Sequence, residues 1–523
     1  MIGERFGMRL IDYLDKGAEL GRDAPCIVQG DQRWSYSEVI ERTHQIACAC
    51  ARAGFGKGSK AAVLSPNEPD TLMSILGILR AEMIWLPINP RYTLDDITEL
   101  LHRFDCELLI VHPSFEPAID QIRAVAPGIR LILTLGEGND VVASLEGWLE
   151  PPGSRHEGSA PNAEDVCAIM TTGGTTGRPK GVLQTNRGFE TYVANHIATM
   201  GHDERPKYLV VAPLTHAAGF MCFSMLARGG TIFIAVGTEP RTVADAMSHH
   251  GITDLFAPPT LIYTMLADPE IRAMRFPALK CLLYGAAPMS VEKLREALEW
   301  LGPVMYQGFA QVEAIMICTV LRPQDHFIDG QIAGPERLSS CGRPAPFVMM
   351  AVMNEEGELL PDGSVGEIVV RSGNVMLGYY KDPAASAEAS RFGWHHTGDI
   401  GFRDEEGFYH LVDRARDMII SGGYNIYPSE IEQVLWGHPA VQDCAVVGAP
   451  DPKWGEAVTA VVQLKAGETV DAAELVSLCR IRVGSIKAPK TILFWPELPR
   501  SPVGKVLKRD IRDKLWAGQA RRI

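Results

Sequence analysis

The feature that most constrains this chain is the regular alternation of short apolar runs with helical stretches. The apolar runs lie at 61–64, 83–88, 108–111, 208–211, 231–236, 254–257 and 279–285, and helical patterns such as 70–81 and 94–104 separate them. Strands that alternate with helices are typical of a parallel sheet with right-handed crossovers. Because a polar segment at 151–162 divides the runs into two blocks, the sequence predicts two similar α/β subdomains.

Two later changes of pattern mark further units. From 341 to 380 the chain has short strand patterns around EEG and PDG turns, which predict a β-rich subdomain. Beyond 414, strand patterns near 441–448 and 457–464 alternate with helical patterns near 428–436, 471–480 and 505–515. The predicted fold class is therefore α/β, with a large N-terminal domain at 1–415 and a small α+β C-terminal domain at 416–523. A division into at least two domains is also expected from the length of 523 residues, which exceeds what one hydrophobic core usually organises.

Composition excludes several classes of protein. A net charge of −14 disfavours a general nucleic-acid binder, which needs a basic surface. The eleven cysteines include no CxxC pair, so neither a zinc site nor a disulfide framework is expected. The uncharged stretch 208–227 is broken by Pro213, His216 and Gly219, so we predict a buried strand, loop and helix and no integral membrane segment. The N-terminus has no pattern of an export signal, and we expect a cytoplasmic protein.

The stretch MTTGGTTGRPKGV, residues 170–182, carries the chemistry of a phosphate loop. Its glycines allow backbone N–H groups to converge on an anion, and the threonine hydroxyls and Lys180 add donors and a positive charge. Pro179 precedes the lysine, so no helix can begin there as in a P-loop, and a strand-loop-strand turn is predicted. A glycine turn without a ligand would explain the glycines and threonines by themselves.

The whole string resembles the phosphate loop of the adenylate-forming enzymes, a superfamily of acyl-CoA synthetases, adenylation domains and beetle luciferases. The usual pattern is TSGTTGxPKGV, and Gly173 stands here in place of the serine, a variant that also occurs in fatty acyl-CoA synthetases. The resemblance implies that the loop holds the phosphates of ATP through Thr172, Gly173, Gly174, Thr175, Thr176, Gly177 and Lys180.

Three further stretches of the large domain are similar to motifs of the superfamily. In PLTHAAGF, residues 213–220, a lone histidine at a strand end is more often structural, but the resemblance places His216 beside the acyl carboxylate. YGAAPMS, residues 284–290, resembles the adenine-binding segment and contributes Gly285, Ala286 and Ala287. YQGFAQVEA, residues 306–314, stands where the superfamily commonly reads QGYGxTE.

The last of these stretches departs from the common pattern. The resemblance assigns Gln307, Gly308, Phe309, Ala310 and Val312 to the nucleotide site, with Phe309 stacked on adenine. Val312 replaces a threonine that reaches the α-phosphate, which removes one hydrogen bond worth about 1 to 3 kcal/mol. Glu313 would ligate Mg²⁺ together with Thr172, an oxygen-ligand role that suits a carboxylate.

Matches continue into the C-terminal region. The TGD triplet at 397–399 and the stretch DRARD at 413–417 imply that Asp399 and Arg414 bind the ribose hydroxyls and that Arg416 is the hinge of a mobile C-terminal domain. Gly422, Gly423 and Tyr424 correspond to the loop that lines the pantetheine tunnel, and Trp454 to the residue that stacks on the adenine of coenzyme A. In LPRSPVGKVLKR, Lys505 matches the lysine that neutralises charge developing at the α-phosphate.

The positions that line the acyl pocket in the superfamily are mostly small or apolar here, and they are His216, Gly219, Phe220, Gly285, Gly308 and Ala310. A second carboxylate or an ammonium group would lack a partner, so dicarboxylic and amino acids are disfavoured. We therefore predict an acyl-CoA synthetase that uses Mg²⁺, ATP and coenzyme A to activate an apolar fatty or aryl monocarboxylic acid, with the loop variant slightly favouring fatty acids.

Two alternatives to this function remain open. One is a stand-alone adenylation enzyme that loads a carrier protein, and the other is a non-catalytic nucleotide or acyl binder, which the retained Glu313 and Lys505 disfavour. The oligomeric state cannot be read from the sequence, and a homodimer stays open.

Overall fold

The structure is a computed structural model, and it describes residues 7–172, 179–414, 417–421, 424–501 and 505–517. The elements of the first 200 residues are α1 Asp12–Glu19, β1 Pro25–Gln29, β2 Gln32–Ser35, α2 Tyr36–Arg52, β3 Lys60–Leu64, α3 Pro69–Arg80, β4 Ile84–Leu86, α4 Leu94–Arg103, β5 Leu108–Val111, a 3₁₀ helix Pro113–Ala118, α5 Ile119–Val125, β6 Leu131–Thr134, β7 Ala143–Ser144, α6 Leu145–Trp148, β8 Val166–Thr171, β9 Gly181–Thr185 and α7 Asn186–Met200.

The second α/β block follows the same alternation. Its elements are β10 Lys207–Val210, α8 Ala217–Leu226, β11 Thr231–Ile234, α9 Pro240–His250, β12 Asp254–Ala257, α10 Pro259–Ala267, α11 Pro269–Ala273, β13 Cys281–Gly285, α12 Val291–Leu301, β14 Met305–Phe309, β15 Thr319–Leu321, a 3₁₀ helix Pro323–His326, β16 Phe327–Ile328, β17 Gln331–Ile332 and α13 Pro335–Leu338.

The remaining elements form the β-rich unit and the C-terminal unit. They are β18 Arg343–Pro344, β19 Val348–Met353, β20 Gly366–Ser372, β21 Gly378–Tyr379, α14 Pro383–Ala389, a 3₁₀ helix Arg391–Gly393, β22 His395–Arg403, β23 Tyr409–Arg414, β24 Ile419–Ser421, β25 Tyr424–Ile426, α15 Pro428–Trp436, β26 Val441–Asp451, β27 Gly455–Leu464, α16 Ala472–Lys487, β28 Thr491–Phe494 and α17 Lys508–Leu515.

Two large sheets organise the N-terminal part, as the alternating pattern predicts. One has eight strands in the order β21-β9-β8-β4-β3-β5-β6-β7, and the other has nine in the order β18-β15-β14-β13-β12-β10-β11-β1-β2. Strands β3 to β7 pair in parallel in the first sheet, and β10 to β14 do so in the second. The predicted fold class is confirmed.

Two short segments leave their own block and join the opposite sheet. Strand β1 pairs in parallel with β11, with Ile27 opposite Ile232, so the first hairpin of the chain extends the nine-stranded sheet. Strand β21 pairs with β9, with Tyr379 opposite Val182, so the β-rich region lends a strand to the eight-stranded sheet. These exchanges connect the subdomains, and the sequence pattern does not predict either of them.

A central hydrophobic core lies between the two large sheets. Helices α2, α3, α7 and α8 fill this layer, and residues of both sheets, including Val63 of β3 and Tyr208 of β10, face it. Helix α2 begins at a capping box in which Ser35 and Glu38 bond each other's backbone amides. Separate cores cover the outer faces of the two sheets. On β13, therefore, Cys281 and Leu283 face the central layer, whereas Leu282 and Tyr284 face outward.

The β-rich region is a four-stranded antiparallel sheet, β19-β20-β22-β23, which continues to Arg414 beyond the predicted segment. The chain enters another sheet at Ile419, where β24 joins the five-stranded sheet of the C-terminal unit. The chain therefore changes sheets between Arg414 and Ile419. The predicted domain boundary, between residues 415 and 416, lies in this interval, and these two residues are outside the described part of the chain. In the described part of the chain, none of the helices has both the length and the apolar character needed to cross a bilayer.

Ionic contacts hold the last helix, α17, against the C-terminal unit. Lys508 Nζ lies 2.8 Å from one carboxylate oxygen of Glu432 and 3.0 Å from the other, and Glu432 also accepts a hydrogen bond from the Val446 amide. The Glu432 side chain is only 4% exposed. Arg512 reaches Asp417, just past the change of sheet, at 2.7 Å. These contacts tie the segment after Lys505 to α15 and to the interdomain connection.

We expect Lys508→Met to destabilise the protein by about 3 kcal/mol, because it leaves the Glu432 carboxylate buried without its cation. Urea unfolding of the full chain, followed by tryptophan fluorescence, measures the loss. Arg509→Met is the matched control, since its partner Asp513 is 3.4 Å away and both side chains are exposed, so less than about 1 kcal/mol should be lost. Equal losses in the two variants would contradict a stabilising role for the buried pair.

Candidate active site

The predicted phosphate loop lies in a hairpin between β8 and β9. The two strands are antiparallel, and Thr171 pairs with Gly181. The Thr172 amide donates to the Lys180 carbonyl at 3.1 Å, and the Lys180 amide donates to Thr172 Oγ1 at 3.2 Å. The predicted strand-loop-strand turn is confirmed. Gly173, Gly174, Thr175, Thr176 and Gly177 lie outside the described residues, and their role stays a prediction.

Tyr379 connects this hairpin to Glu313. Its hydroxyl donates a hydrogen bond to Glu313 Oε1 at 2.9 Å, and the Lys180 ammonium lies 4.7 Å from the centre of its ring. Burial raises the pKa of Tyr379 well above its usual range, and the negative charge of Glu313 raises it further. The hydroxyl therefore stays protonated and donates. Lys180 and Glu313, which are 133 positions apart in sequence, thus both contact Tyr379, and Thr172 is held against the Lys180 backbone.

Asp399 lies at a second polar centre, beside Gln311. Asp399 is 6% exposed, and its Oδ2 accepts a hydrogen bond from Gln311 Nε2 at 2.6 Å. The same Gln311 nitrogen is 2.7 Å from the Thr397 carbonyl, and the Gln311 oxygen is 3.4 Å from His395 Nε2. In the β22–β23 ladder Asp399 pairs with Arg414, so the two predicted ribose-binding residues occupy opposite positions on neighbouring strands.

His216 occupies the N-cap position of α8 and is partly buried. Its Nδ1 lies 3.0 Å from Thr215 Oγ1. Burial lowers the pKa of His216 to about 4, so the ring is neutral at physiological pH. A neutral imidazole can position a carboxylate through a hydrogen bond without adding a fixed charge.

The predicted acyl and adenine positions lie along β13 and β14. Gly285 pairs with Gly308, and a Cβ at Gly285 would lie 2.5 Å from the Gly308 carbonyl oxygen. Ala286 follows with a φ of 65° and Ala287 is partly exposed beside it, so the chain turns sharply at the end of β13. Ala310 and Val312 are partly exposed after β14, and Gln307 Oε1 is buried without a partner in the described part of the chain.

Three predicted residues are explained at least in part by packing. A Cβ at Gly219 would lie 1.7 Å from the Leu214 carbonyl oxygen, so the start of α8 requires glycine for its close approach to that turn. Phe220 is 3% exposed and makes edge contacts with Trp85 and Phe189, both at 5.7 Å between ring centres. Phe309 is 9% exposed and packs in the central core.

The C-terminal unit brings two predicted coenzyme-binding segments together. Ser421 pairs with Gly455, which places Trp454 next to the strand that leads into the predicted tunnel loop. Tyr424, 56% exposed, lines a cavity of about 250 Å³ with Ile426 and residues 483–487. Trp454 is 40% exposed and lies under the Lys453 ammonium at 4.6 Å. Gly422, Gly423 and the predicted hinge Arg416 lie outside the described residues.

Lys505 lies on the short segment before α17. Its amide is 3.2 Å from Ser501 Oγ, and its carbonyl accepts from the Ser501 amide at 2.7 Å. Arg500 on the same segment pairs with Asp443 at 2.6 Å. This segment therefore rests on the sheet of the C-terminal unit.

Sequence reasoning missed Tyr379 and Gln311. Tyr379 gives no local signal, because its neighbours GYY read as an ordinary strand, and only the pairing of β21 with β9 brings it to Glu313. Gln311 lies inside the stretch YQGFAQVEA, two positions before Glu313, and could have been singled out there as a polar residue within the motif.

Thr172, Ala286 and Glu313 follow the carboxyl ends of β8, β13 and β14 in the two α/β sheets, which is where proteins of this architecture bind nucleotides. Comparison with known protein families then identifies the family to which the chain belongs. The AMP-binding enzyme family matches residues 14–380, and the C-terminal domain of AMP-binding enzymes matches residues 430–505. The chain belongs to the AMP-binding enzyme family, and the predicted resemblance to adenylate-forming enzymes is confirmed.

Individual relatives cover nearly the whole chain. A medium/long-chain-fatty-acid–CoA ligase, FadD8, of Mycobacterium tuberculosis is 32% identical over 96% of this chain and 89% of its own length. A feruloyl-CoA synthase of an Amycolatopsis species is 34% identical over 95% of this chain and 96% of its own. Among solved structures, the amide bond synthetase McbA of Marinactinospora thermotolerans superposes with a TM-score of 0.87 at 28% identity, over 97% and 99% of the two chains. These similarities fit an acid–thiol ligase best.

We expect Tyr379→Phe to lower kcat/KM for ATP about 10-fold in a pyrophosphate-exchange assay. The variant keeps the ring beneath Lys180 but removes the hydrogen bond to Glu313, and a bond to a charged group is worth about 1.5 to 3 kcal/mol. Tyr380→Phe is the control, because its hydroxyl makes a similar 2.5 Å bond to the carboxylate of Asp105, away from this site. If both variants lost the same activity, the Tyr379 bond would have no special role.

Proposed function

We propose that this protein is an ATP-dependent acyl-CoA synthetase that joins a carboxylic acid with an apolar body to coenzyme A through an acyl-AMP. The observation that carries the proposal is the convergence of Lys180 and Glu313 on Tyr379, with Thr172 hydrogen-bonded to the Lys180 backbone beside them. Two relatives of nearly equal similarity, a fatty-acid–CoA ligase and a feruloyl-CoA synthase, support the same reaction type.

The donor set around Glu313 suits Mg²⁺. This ion is usually held by one or two carboxylates together with substrate phosphates and water, and Glu313 and the Thr172 hydroxyl supply oxygen ligands of that kind. When bound, Mg²⁺ would neutralise phosphate charge. Lys180 adds a fixed positive charge on the same side of the site, and Asp399, held by Gln311, would accept hydrogen bonds from the ribose hydroxyls.

In the first half-reaction, a carboxylate oxygen attacks the α-phosphorus, the bond to the β-phosphate oxygen breaks, and pyrophosphate leaves with the electron pair. The chain contributes mainly by positioning the reactants and by stabilising charge. His216, neutral because its pKa is about 4, would orient the acid without trapping it as an ion pair. Lys505 would supply positive charge as negative charge develops on the phosphate oxygens.

In the second half-reaction, the sulfur of coenzyme A attacks the acyl carbon and AMP leaves. We propose that the C-terminal unit then presents the segment around Tyr424 and Trp454 to the thiol substrate. Ser421 and Gly455 hold the two segments together by strand pairing, and both aromatic side chains are more than one third exposed. A reorientation about Arg416 would withdraw Lys505 when Tyr424 arrives.

We expect Lys505→Ala to reduce acyl-AMP formation by about 100- to 1000-fold, the usual effect of removing one group that stabilises developing charge. Thioester formation from supplied acyl-AMP and coenzyme A should be largely spared, because the lysine serves only the first step. Single-turnover assays of each half-reaction measure the two effects. Lys514→Ala, which removes a lysine that lies 5.0 Å from the Trp495 ring, is the control. An equal loss in both half-reactions would contradict this division of labour.

The choice of acid is tested with a panel of linear, branched, cyclic, aromatic, amino and dicarboxylic acids. We expect pyrophosphate release with fatty or aryl monocarboxylic acids, because the pocket positions Gly285, Gly308 and Ala310 offer no partner for a second charge. Each acid is assayed with and without coenzyme A, and AMP release and thioester are measured together. Preference for an amino acid or dicarboxylate would contradict the pocket assignment, and acyl-AMP without thioester would favour a carrier-protein loader.

A further inference from the structure

A cluster of polar side chains is buried between α7 and the amino ends of β12 and β13. His196 on α7 and Asp254 at the start of β12 are both 0% exposed. The Asp254 carboxylate accepts hydrogen bonds from His202 Nε2 at 2.9 Å and from Thr253 Oγ1 at 2.5 Å. Asp254 pairs with Cys281 of β13, so the cluster lies in the same row of the sheet as that residue.

Several atoms of this cluster have no hydrogen-bond partner among the described residues. Both ring nitrogens of His196, the Oδ1 of Asp254, the Nδ1 of His202 and the Nη1 of Arg228 are buried and unpaired. Buried polar groups are normally satisfied, and leaving one unpaired costs stability. A fully buried histidine with two free nitrogens therefore points to a group that the protein itself does not supply.

The sheet connects this cluster to the proposed acyl pocket. On β13, Cys281 and Leu283 face the central layer, and Gly285 lies two residues further along the same face. On β14, Tyr306 pairs with Leu283, and Gly308 pairs with Gly285. With a rise of about 3.3 Å per residue along a strand, the backbone of Tyr306 lies roughly 7 Å from Gly308, and that of Cys281 about 13 Å from Gly285. The central face of these two strands therefore runs from the pocket positions at the carboxyl edge to the row of Cys281 and Asp254, where the His196 cluster lies.

Tyr306 stands between the pocket and the cluster. It is only partly buried although it faces the core, and its hydroxyl makes no hydrogen bond within the described residues. Burial raises the pKa of Tyr306 to about 12, and the negative charge of Asp254 adds to the shift. The phenol is therefore neutral. Asp254 lies close enough to influence the pKa of both Tyr306 and His196.

We propose that Tyr306 and His196 form a hydrogen-bonding subsite at the far end of the acyl pocket, which takes acids whose distal end carries a neutral hydroxyl or carbonyl group. The inference rests on the proposed function and narrows its substrate class. A hydroxyl fits because a phenol and a neutral imidazole can each donate and accept. A charged tail fits less well, since Asp254 and Arg228 carry opposite charges within the same cluster.

The test compares kcat/KM for pyrophosphate release between acids that differ by one distal hydroxyl. The pairs are 4-hydroxycinnamate with cinnamate, and 8-hydroxyoctanoate with octanoate. We expect the intact protein to prefer the hydroxylated member of at least one pair about 10-fold or more, because a site built to bond a hydroxyl discriminates against its absence. No preference in either pair would overturn the proposal.

Tyr306→Phe and His196→Leu should each reduce that preference about 10-fold, and they should do so by lowering kcat/KM for the hydroxylated acid. Tyr208→Phe is the matched control. Tyr208 faces the same layer, but its hydroxyl already donates to the Ala218 carbonyl at 2.9 Å, so its loss should leave the preference unchanged. If the cluster holds only water, Tyr306→Phe and His196→Leu will alter both members of a pair alike, which also overturns the proposal.

Thermal unfolding without ligand gives a second readout. A histidine kept for a ligand is an unpaired polar group in the free protein, so His196→Leu should leave the midpoint unchanged or raise it. A clear fall in the midpoint would assign His196 a structural role and overturn the subsite. The assays distinguish failure of the subsite from failure of the proposed function. Turnover of octanoate and cinnamate without hydroxyl preference rejects only the subsite, whereas no turnover of any acid rejects the proposed function.

Discussion

The hydrogen bond from Tyr379 to Glu313 depends on the pairing of β21 with β9, and the candidate site depends on both. Strand β21 has only two residues, yet it leaves the β-rich region and joins the eight-stranded sheet beside the strand that follows Lys180. Glu313 follows β14 in the other large sheet. One tyrosine therefore holds together groups from two sheets, and a small change in how the sheets pack would separate the loop from its carboxylate.

Burial determines the protonation states around this centre. Tyr379 stays protonated because burial and the Glu313 charge raise its pKa, and His216 stays neutral because burial lowers its pKa to about 4. The proposed phosphate and ribose positions carry the ionisable side chains Lys180, Glu313 and Asp399, whereas the proposed acyl position carries the neutral imidazole of His216. Separation of this kind suits an enzyme that binds a triphosphate and an apolar acid side by side.

The C-terminal unit is stabilised by two small hydrophobic cores and by ion pairs. Its small sheet has a core on each face, and ion pairs anchor its last helix. The pair between Lys508 and Glu432 lies only three residues beyond Lys505, so the same contact that stabilises the helix also limits where the Lys505 segment can lie. The proposed reorientation about Arg416 would need such a unit, rigid inside itself and joined to the rest of the chain by a short connection.

The sequence by itself determined the alternating α/β architecture, the hairpin around residues 172–180, and two strands and three helices of the C-terminal unit, because each depends on local periodicity, turn residues or a contiguous motif. Only the tertiary structure decided that β1 and β21 cross to the opposite sheets, that Gln311 holds Asp399, and that Gly219 is required by the Leu214 carbonyl. It alone also placed His196, His202 and Asp254 in one buried cluster. Apart from the local contact of Gly219 with Leu214, these contacts join residues tens to hundreds of positions apart. Their partners are selected by sheet register and by packing between layers, which no local pattern encodes.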